Sequence, residues 1–325
     1  MTMRAVVLSQ PGPVSNLQLQ SLPIPEPTEG WIRIRVRAAG MNRSELHTRL
    51  GLAGDSVQMP RVLGIETVGT VDLDPSGTFT TETQVATMMG GMGRTFDGGY
   101  AEYTCVPVNQ VIPFTSELPW EVLGAVPEML QTSYGTLSVG LDAQPGQSIL
   151  IRGGTSSIGM TIAVLAKLMN MTVISTTRDK TKGDRLRELG VDHIIIDDGN
   201  VAEQVREIYP EGVDAAVELV GTPTLRDTLL ATRMHGTVCF TGMLSNQWTV
   251  KDFYPIDYLP RGVRLSAYSG ESRDLPATVL QRFLDQVAAG SATVPLDRTF
   301  ELSEVQDAHA LMESDKACGK LVLLP

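Results

Sequence analysis

The sequence predicts an α/β protein in two parts, a β-rich first third and a doubly wound parallel sheet covered by helices. Three observations predict it. The first third carries short apolar runs broken by Gly, Pro, Asp and Thr; from about residue 121 strand and helix signals alternate; and residues 148–167 read S-I-L-I-R-G-G-T-S-S-I-G-M-T-I-A-V-L-A-K. That stretch is a buried strand, a tight turn and a helix.

Taken in order, residues 5–8 form a strand signal, and residues 31–38 alternate Ile32, Ile34 and Val36 against Arg33, Arg35 and Arg37. This is a strand wetted on one face. Pro11, Pro13, Pro23, Pro25 and Pro27 exclude a helix between them. Further strand signals fall at 67–71, 84–88, 101–106 and 110–112. A helix is expected over 121–139, then strands near 149, 171, 194, 214 and 237 with helical segments between them. Their short apolar cores, such as Ile194-Ile195-Ile196, suit strands buried on both faces. Helices over 279–289 and 304–314 and a closing strand over 321–324 complete the chain.

The turn Gly154-Thr155-Ser156-Ser157-Ile158-Gly159 matches a dinucleotide-binding fingerprint, with Ser156 where the central glycine is expected. Glycine-rich turns also follow strands for structural reasons alone. The preceding strand, the following helix and a second strand over 171–177 supply the βαβ context that favours cofactor binding. Unused backbone N–H groups and the helix dipole suit a pyrophosphate there. At the end of the second strand, where an acid would select NAD, the chain has Thr177, followed by Arg178 and, one turn on, Lys182. Two cations suit a 2′-phosphate, with Asp179 the one opposing charge, so the cofactor is read as NADPH. An ordinary solvated helix start is the alternative for those cations.

With 325 residues, 42% hydrophobic content and a formal charge of −11, the chain fits a soluble enzyme of about two domains. The acidic balance disfavours nucleic acid and anionic membrane as partners. Cys105, Cys239 and Cys318 are distant and odd in number, which suits reduced thiols in the cytoplasm. No apolar run approaches membrane-spanning length, and the first ten residues lack the order of a signal peptide.

The order of motifs resembles the medium-chain dehydrogenase/reductase superfamily, and within it the zinc-independent quinone oxidoreductases related to zeta-crystallin. The resemblance rests on Gly40-Met41-Asn42-Arg43-Ser44-Glu45, Gly64-Ile65-Glu66, Asp97-Gly98-Gly99-Tyr100-Ala101-Glu102-Tyr103, Thr132-Ser133-Tyr134, the fingerprint turn, Gly236-Thr237-Val238 and Gly319-Lys320-Leu321-Val322-Leu323. It implies a GroES-like catalytic domain over 1–123, a Rossmann-type NADP-binding domain over 124–265 and a return to the catalytic domain over 266–325. It also implies a homodimer formed by extending the nucleotide-domain sheets.

Zinc-dependent members carry Cys at the position of Asn42, His at that of Ile65, and Cys or Glu at that of Glu128. Here only Glu128 could ligate, no four-cysteine lobe exists, and His47, His193, His235 and His309 are poor candidates, so no metal is expected. The family pattern brings Asn42, Thr132, Gly242, Met243 and Leu244 to the nicotinamide, beside Gly154, Thr155, Ser156, Ser157 and Ile158 at the pyrophosphate. A helix hydroxyl bonding its own backbone is the alternative for Thr132.

Without metal, hydride transfer needs positioning, oxyanion stabilisation and one proton. Quinones and α,β-unsaturated carbonyls are electrophilic enough to meet those terms. Positions matching Ser44 and His47 relay protons in zinc alcohol dehydrogenases, which makes these two the catalytic candidates; a capping serine and a surface histidine are the alternatives. Three readings stand at this level: an NADPH-dependent quinone or enone reductase, a dedicated enoyl reductase of a biosynthetic pathway, and a non-catalytic NADPH-binding protein.

Overall fold

A computed structural model describes residues 1–54 and 57–325 of the chain. Two compact units divide it, Met1–Met129 with Glu271–Pro325, and Leu130–Gly270.

The first unit opens with β1 (Thr2–Leu8), β2 (Leu17–Pro23), β3 (Trp31–Gly40), β4 (Arg61–Val62), β5 (Glu66–Leu73), β6 (Gln84–Met88), β7 (Tyr103–Pro107) and β8 (Val111–Pro113). In β3 the expected alternation holds: Ile32, Ile34 and Val36 are buried, while Arg35 is exposed and Arg33 reaches Asp72 at 2.6 Å. β2 was not expected. It pairs with β1 along its whole length and exposes most of its residues, so it has no apolar run to signal it.

The single helix expected over 121–139 is two, Trp120–Gly124 and Pro127–Gly135, followed by a π turn at Thr136–Gly140. Pro127 has no N–H to continue the first helix and instead opens the second.

The second unit holds β9 (Ser148–Arg152), β10 (Thr172–Thr177), β11 (His193–Ile196), β12 (Val213–Glu218), β13 (Thr232–Phe240) and β14 (Arg264–Ala267). All pairings are parallel, in the order β11-β10-β9-β12-β13-β14. This is the doubly wound order, with its switch point between β9 and β12, where such sheets bind ligands beyond the strand ends. β14 is a mostly exposed edge that periodicity does not reveal.

The chain returns to the first unit through a helix at Ala277–Ala288, β15 (Leu296–Glu301), a helix at Val305–Glu313 and β16 (Lys320–Leu324). β15 and β16 extend a seven-stranded sheet ordered β15-β16-β3-β5-β6-β8, with β7 on β3. One core of this unit joins Val6, Leu8, Leu17, Leu63, Tyr100, Leu302 and Leu323; a core of the second joins Leu150, Ile174, Val205, Ala216, Leu229 and Val238. The three cysteines are unbridged, and no described helix is long and apolar enough to cross a membrane.

Candidate functional site

Each unit carries a constellation of polar groups that bears on function. In the first unit, Asn42 caps the helix Arg43–Arg49, and Glu45 closes a capping box by accepting from Asn42 N at 3.0 Å. The other oxygen of Glu45 accepts from Ile65 N at 2.9 Å, which ties the helix to the entrance of β5. Glu66, the first residue of β5, is fully buried; its carboxylate accepts from Asn42 Nδ2 at 3.0 Å and from Glu128 N at 2.8 Å. Gly40 makes room, because a β-carbon there would overlap Glu66 Oε1.

Into this ring enters Lys320, the first residue of β16. Its buried Nζ lies 2.5 Å from Glu66, 2.6 Å from Asn42 Oδ1 and 3.3 Å from Glu128. Burial pulls this ammonium's pKa down, but Glu66 and Glu128 outweigh it and hold the group above the usual lysine range. The Asn42 amide is therefore fixed in one flip, oxygen to Lys320 and nitrogen to Glu66.

Burial pushes Glu45 up to about 7, against the pull of the backbone amides and Lys320 and with Glu66 reinforcing the rise. The folded chain thus holds this proton more tightly than the unfolded chain, in which the carboxyl titrates near 4.5. The stabilisation is full below pH 4.5 and is lost as pH rises through about 7. This amounts to roughly 3 kcal/mol across that window. Urea unfolding between pH 5 and 8 should show this decline, and Glu45→Gln should remove most of its slope.

Ser44 and His47 lie on the same short helix, three residues apart and both half-buried. Ser44 is not a cap, since Asn42 holds that position; its Oγ accepts from Arg94 at 2.6 Å. Arg43 pairs with Asp315. Deeper in this unit the Tyr100 hydroxyl and both ring nitrogens of His309 have no hydrogen-bond partner among the described residues. Burial, with Arg49 nearby, draws His309 down to about 3, so it stays neutral.

In the second unit, β9 ends at Arg152, which is buried and held by Asp197 at 2.5 Å and Asp227 at 2.6 Å. Gly153 then adopts φ +88°, and at Gly154 a β-carbon would overlap Ser175 Oγ, itself buried and without a hydrogen-bond partner among the described residues. The turn thus needs glycine at both places. Ser156 caps the helix Ser157–Leu168: its Oγ accepts from Gly159 N at 3.1 Å and donates to Gly153 O at 2.8 Å. A serine at the fingerprint's central position has its hydroxyl committed to the helix start. The N–H groups of Thr155, Ser157 and Ile158 have no acceptor among the described residues, so the turn presents three donors at the positive end of a twelve-residue helix. These residues fit an anionic diphosphate.

Thr177 closes β10, and its hydroxyl is turned into the following bend, donating to Asp179 O at 3.0 Å and accepting from Asp179 N at 3.1 Å. Arg178 is exposed and Lys182 half-buried. The Asp179 carboxylate accepts from Thr181 N and Oγ1, and these bonds hold it below the usual range. After β13, Gly242 N bonds Glu218 O and Leu244 N bonds Leu219 O, both near 3 Å. Leu244 Cδ1 comes within 3.2 Å of where Gly153 would carry a β-carbon, so the loop 242–244 and the fingerprint turn stand together.

Thr132 donates to Gln131 Oε1 at 3.0 Å, and Thr136 Oγ1 donates to the Thr132 carbonyl one turn back at 2.7 Å. Gln131 in turn donates to the Tyr268 hydroxyl. Sequence reasoning assigned no role to Lys320, Glu66, Arg152 or Glu218. A signal for the first existed: a lysine opening the apolar run Leu321-Val322-Leu323-Leu324 needs an acidic partner if the strand is buried.

A β-rich unit with a buried charged site, and a doubly wound unit whose helix-opening turn offers three backbone donors, make up a two-part architecture of the dehydrogenase type. Residues 28–116 match the family described as alcohol dehydrogenase GroES-like domain, and residues 189–323 match that described as zinc-binding dehydrogenase. The 2-haloacrylate reductase of a Burkholderia species is 28% identical, covering 100% of this chain and 99% of that protein. A probable quinone oxidoreductase of Schizosaccharomyces pombe is 25% identical over 98% of this chain and 96% of its own. The solved structure of AibC superposes with a TM-score of 0.86 at 27% identity, covering 100% of this chain and 96% of that one. The chain belongs to the medium-chain dehydrogenase/reductase superfamily, in its quinone oxidoreductase-like branch.

Proposed function

We propose that the protein is an NADPH-dependent reductase that works without metal and transfers hydride to a quinone or an α,β-unsaturated carbonyl compound. The observation that carries this reading is the turn at 153–158, where three backbone donors meet a helix N-terminus at the switch point of the sheet. Names of relatives, a quinone oxidoreductase and a 2-haloacrylate reductase, supply the acceptor class: electrophilic, conjugated and reducible at carbon or oxygen.

The amides of Thr155, Ser157 and Ile158 would hold the pyrophosphate, and Arg178 and Lys182 the 2′-phosphate, in place of the acid that NAD-selective sheets carry. Gly242, Met243 and Leu244, with Thr132, would line the nicotinamide. Bound NADPH supplies the hydride. Asn42 can serve as a rigid amide because Lys320 and Glu66 fix its orientation.

Ser44 or His47 is the proposed proton donor. General acid catalysis contributes about 10²–10⁴-fold, so alanine at the true donor should lower kcat by at least about 10² and flatten one limb of its pH profile. Unchanged rates and profiles in both variants would exclude the pair.

A second copy extending the sheet through the exposed edge β14 is the proposed assembly, in the cytoplasm; solution mass by light scattering checks the dimer. The decisive assay follows NADPH and NADH consumption against quinones, enones and 2-haloacrylates in the presence of a chelator. Turnover with NADPH establishes the reading. Silence with every acceptor despite NADPH binding would replace it with a non-catalytic one.

A further inference from the structure

The family description that covers residues 189–323 names zinc, and the residues of this chain do not fit it. A zinc ion needs three good donors and a free position. Here the oxygens of Asn42, Glu66 and Glu128 already converge on a cation, the ammonium of Lys320, at 2.6, 2.5 and 3.3 Å. An ammonium has three N–H donors, and this one meets three acceptors. Among the described residues no group of three or more His, Cys, Asp and Glu is arranged for a metal.

We propose that Lys320 Nζ is the resident cation of this site, filling the oxygen ring of Asn42, Glu66 and Glu128 and thereby closing it to divalent metal. The ammonium is tethered to the start of β16, so it competes at an effective concentration no free ion matches. A divalent ion entering beside it would meet a like charge at close range in a buried setting. The inference is independent of which acceptor the enzyme reduces.

The test uses the full chain and no turnover assay. Metal analysis of wild-type protein purified without chelator should find zinc well below one equivalent, and Co²⁺ should produce no saturable visible absorption. In Lys320→Ala the ring loses its occupant, and propylammonium or Co²⁺ should raise Tm by about 5 °C at saturation. Adding Glu66→Gln should abolish that rise. If Lys320→Ala fails to fold, refolding in propylammonium or Co²⁺ replaces the titration, and recovery supports the proposal. One equivalent of metal in the wild-type protein would overturn it. So would a Lys320→Ala chain that neither cation stabilises or refolds.

Discussion

Replacing Lys320 by methionine should cost about 3–5 kcal/mol of folding stability, because it removes one partner of a buried ion pair and leaves the other without its counter-charge. Methionine fills most of the lysine stem's volume, so the loss reports charge rather than a cavity. Burial and Glu128 already push the Glu66 carboxyl up, and without Lys320 it must either stay charged with no partner or take up a proton. The double variant Lys320→Met/Glu66→Gln should recover part of the loss, since no unpaired charge then remains on Glu66. Urea unfolding of the four chains of this cycle measures the coupling. By contrast, removing the exposed pair Arg187–Asp184 should change stability by less than about 0.5 kcal/mol. An equal loss at both sites would mean that burial is not what gives Lys320 its weight.

The second large effect concerns cofactor choice. Arg178→Ala combined with Lys182→Ala should weaken NADPH binding by about 10²-fold, roughly tenfold for each charge-assisted bond to the phosphate. NADH binding should barely move, because the ribose hydroxyl offers these cations no charge. Fluorescence titration with both cofactors checks this. A parallel loss of NADH affinity would show that the cations organise the bend after β10 instead of reading the phosphate. Thr177→Asp adds the complementary arm. It replaces a hydroxyl that holds the bend with a carboxylate that would repel the phosphate, so it should invert the preference.

The fold was legible where burial on two faces left apolar runs, as in β9 to β13, or where alternation was clean, as in β3. It was illegible where strands pair along an exposed edge. β2, β14 and β15 are held by backbone bonds to a neighbour, and their side chains show little of it. The turn and capped helix start at 153–159 could be read because glycine spacing and a helix start are local features. Of the Lys320 ring only the lysine's need for an acidic partner was legible, since its members lie on four separate segments and the ion pairs joining them leave no periodic trace. Asn42 was singled out from the family pattern, but that its amide would be locked by a lysine near the end of the chain is a property of the sheet, in which β16 pairs with β3.

That arrangement also sets an order of events during synthesis. Asn42 meets Lys320 across 278 residues and Glu128 meets it across 192, while the whole second unit, Leu130–Gly270, lies in between and is continuous in sequence. At ribosomal speeds the chain waits roughly 10–40 s between making Glu128 and making Lys320. Through that interval the second unit can fold on local contacts, while Glu66 and Glu128 lack the counter-charge of Lys320 and must stay hydrated. The first unit is therefore the slow part of the nascent protein. Its last strand brings both the link between β15 and β3 and the charge that allows Glu66 to leave water.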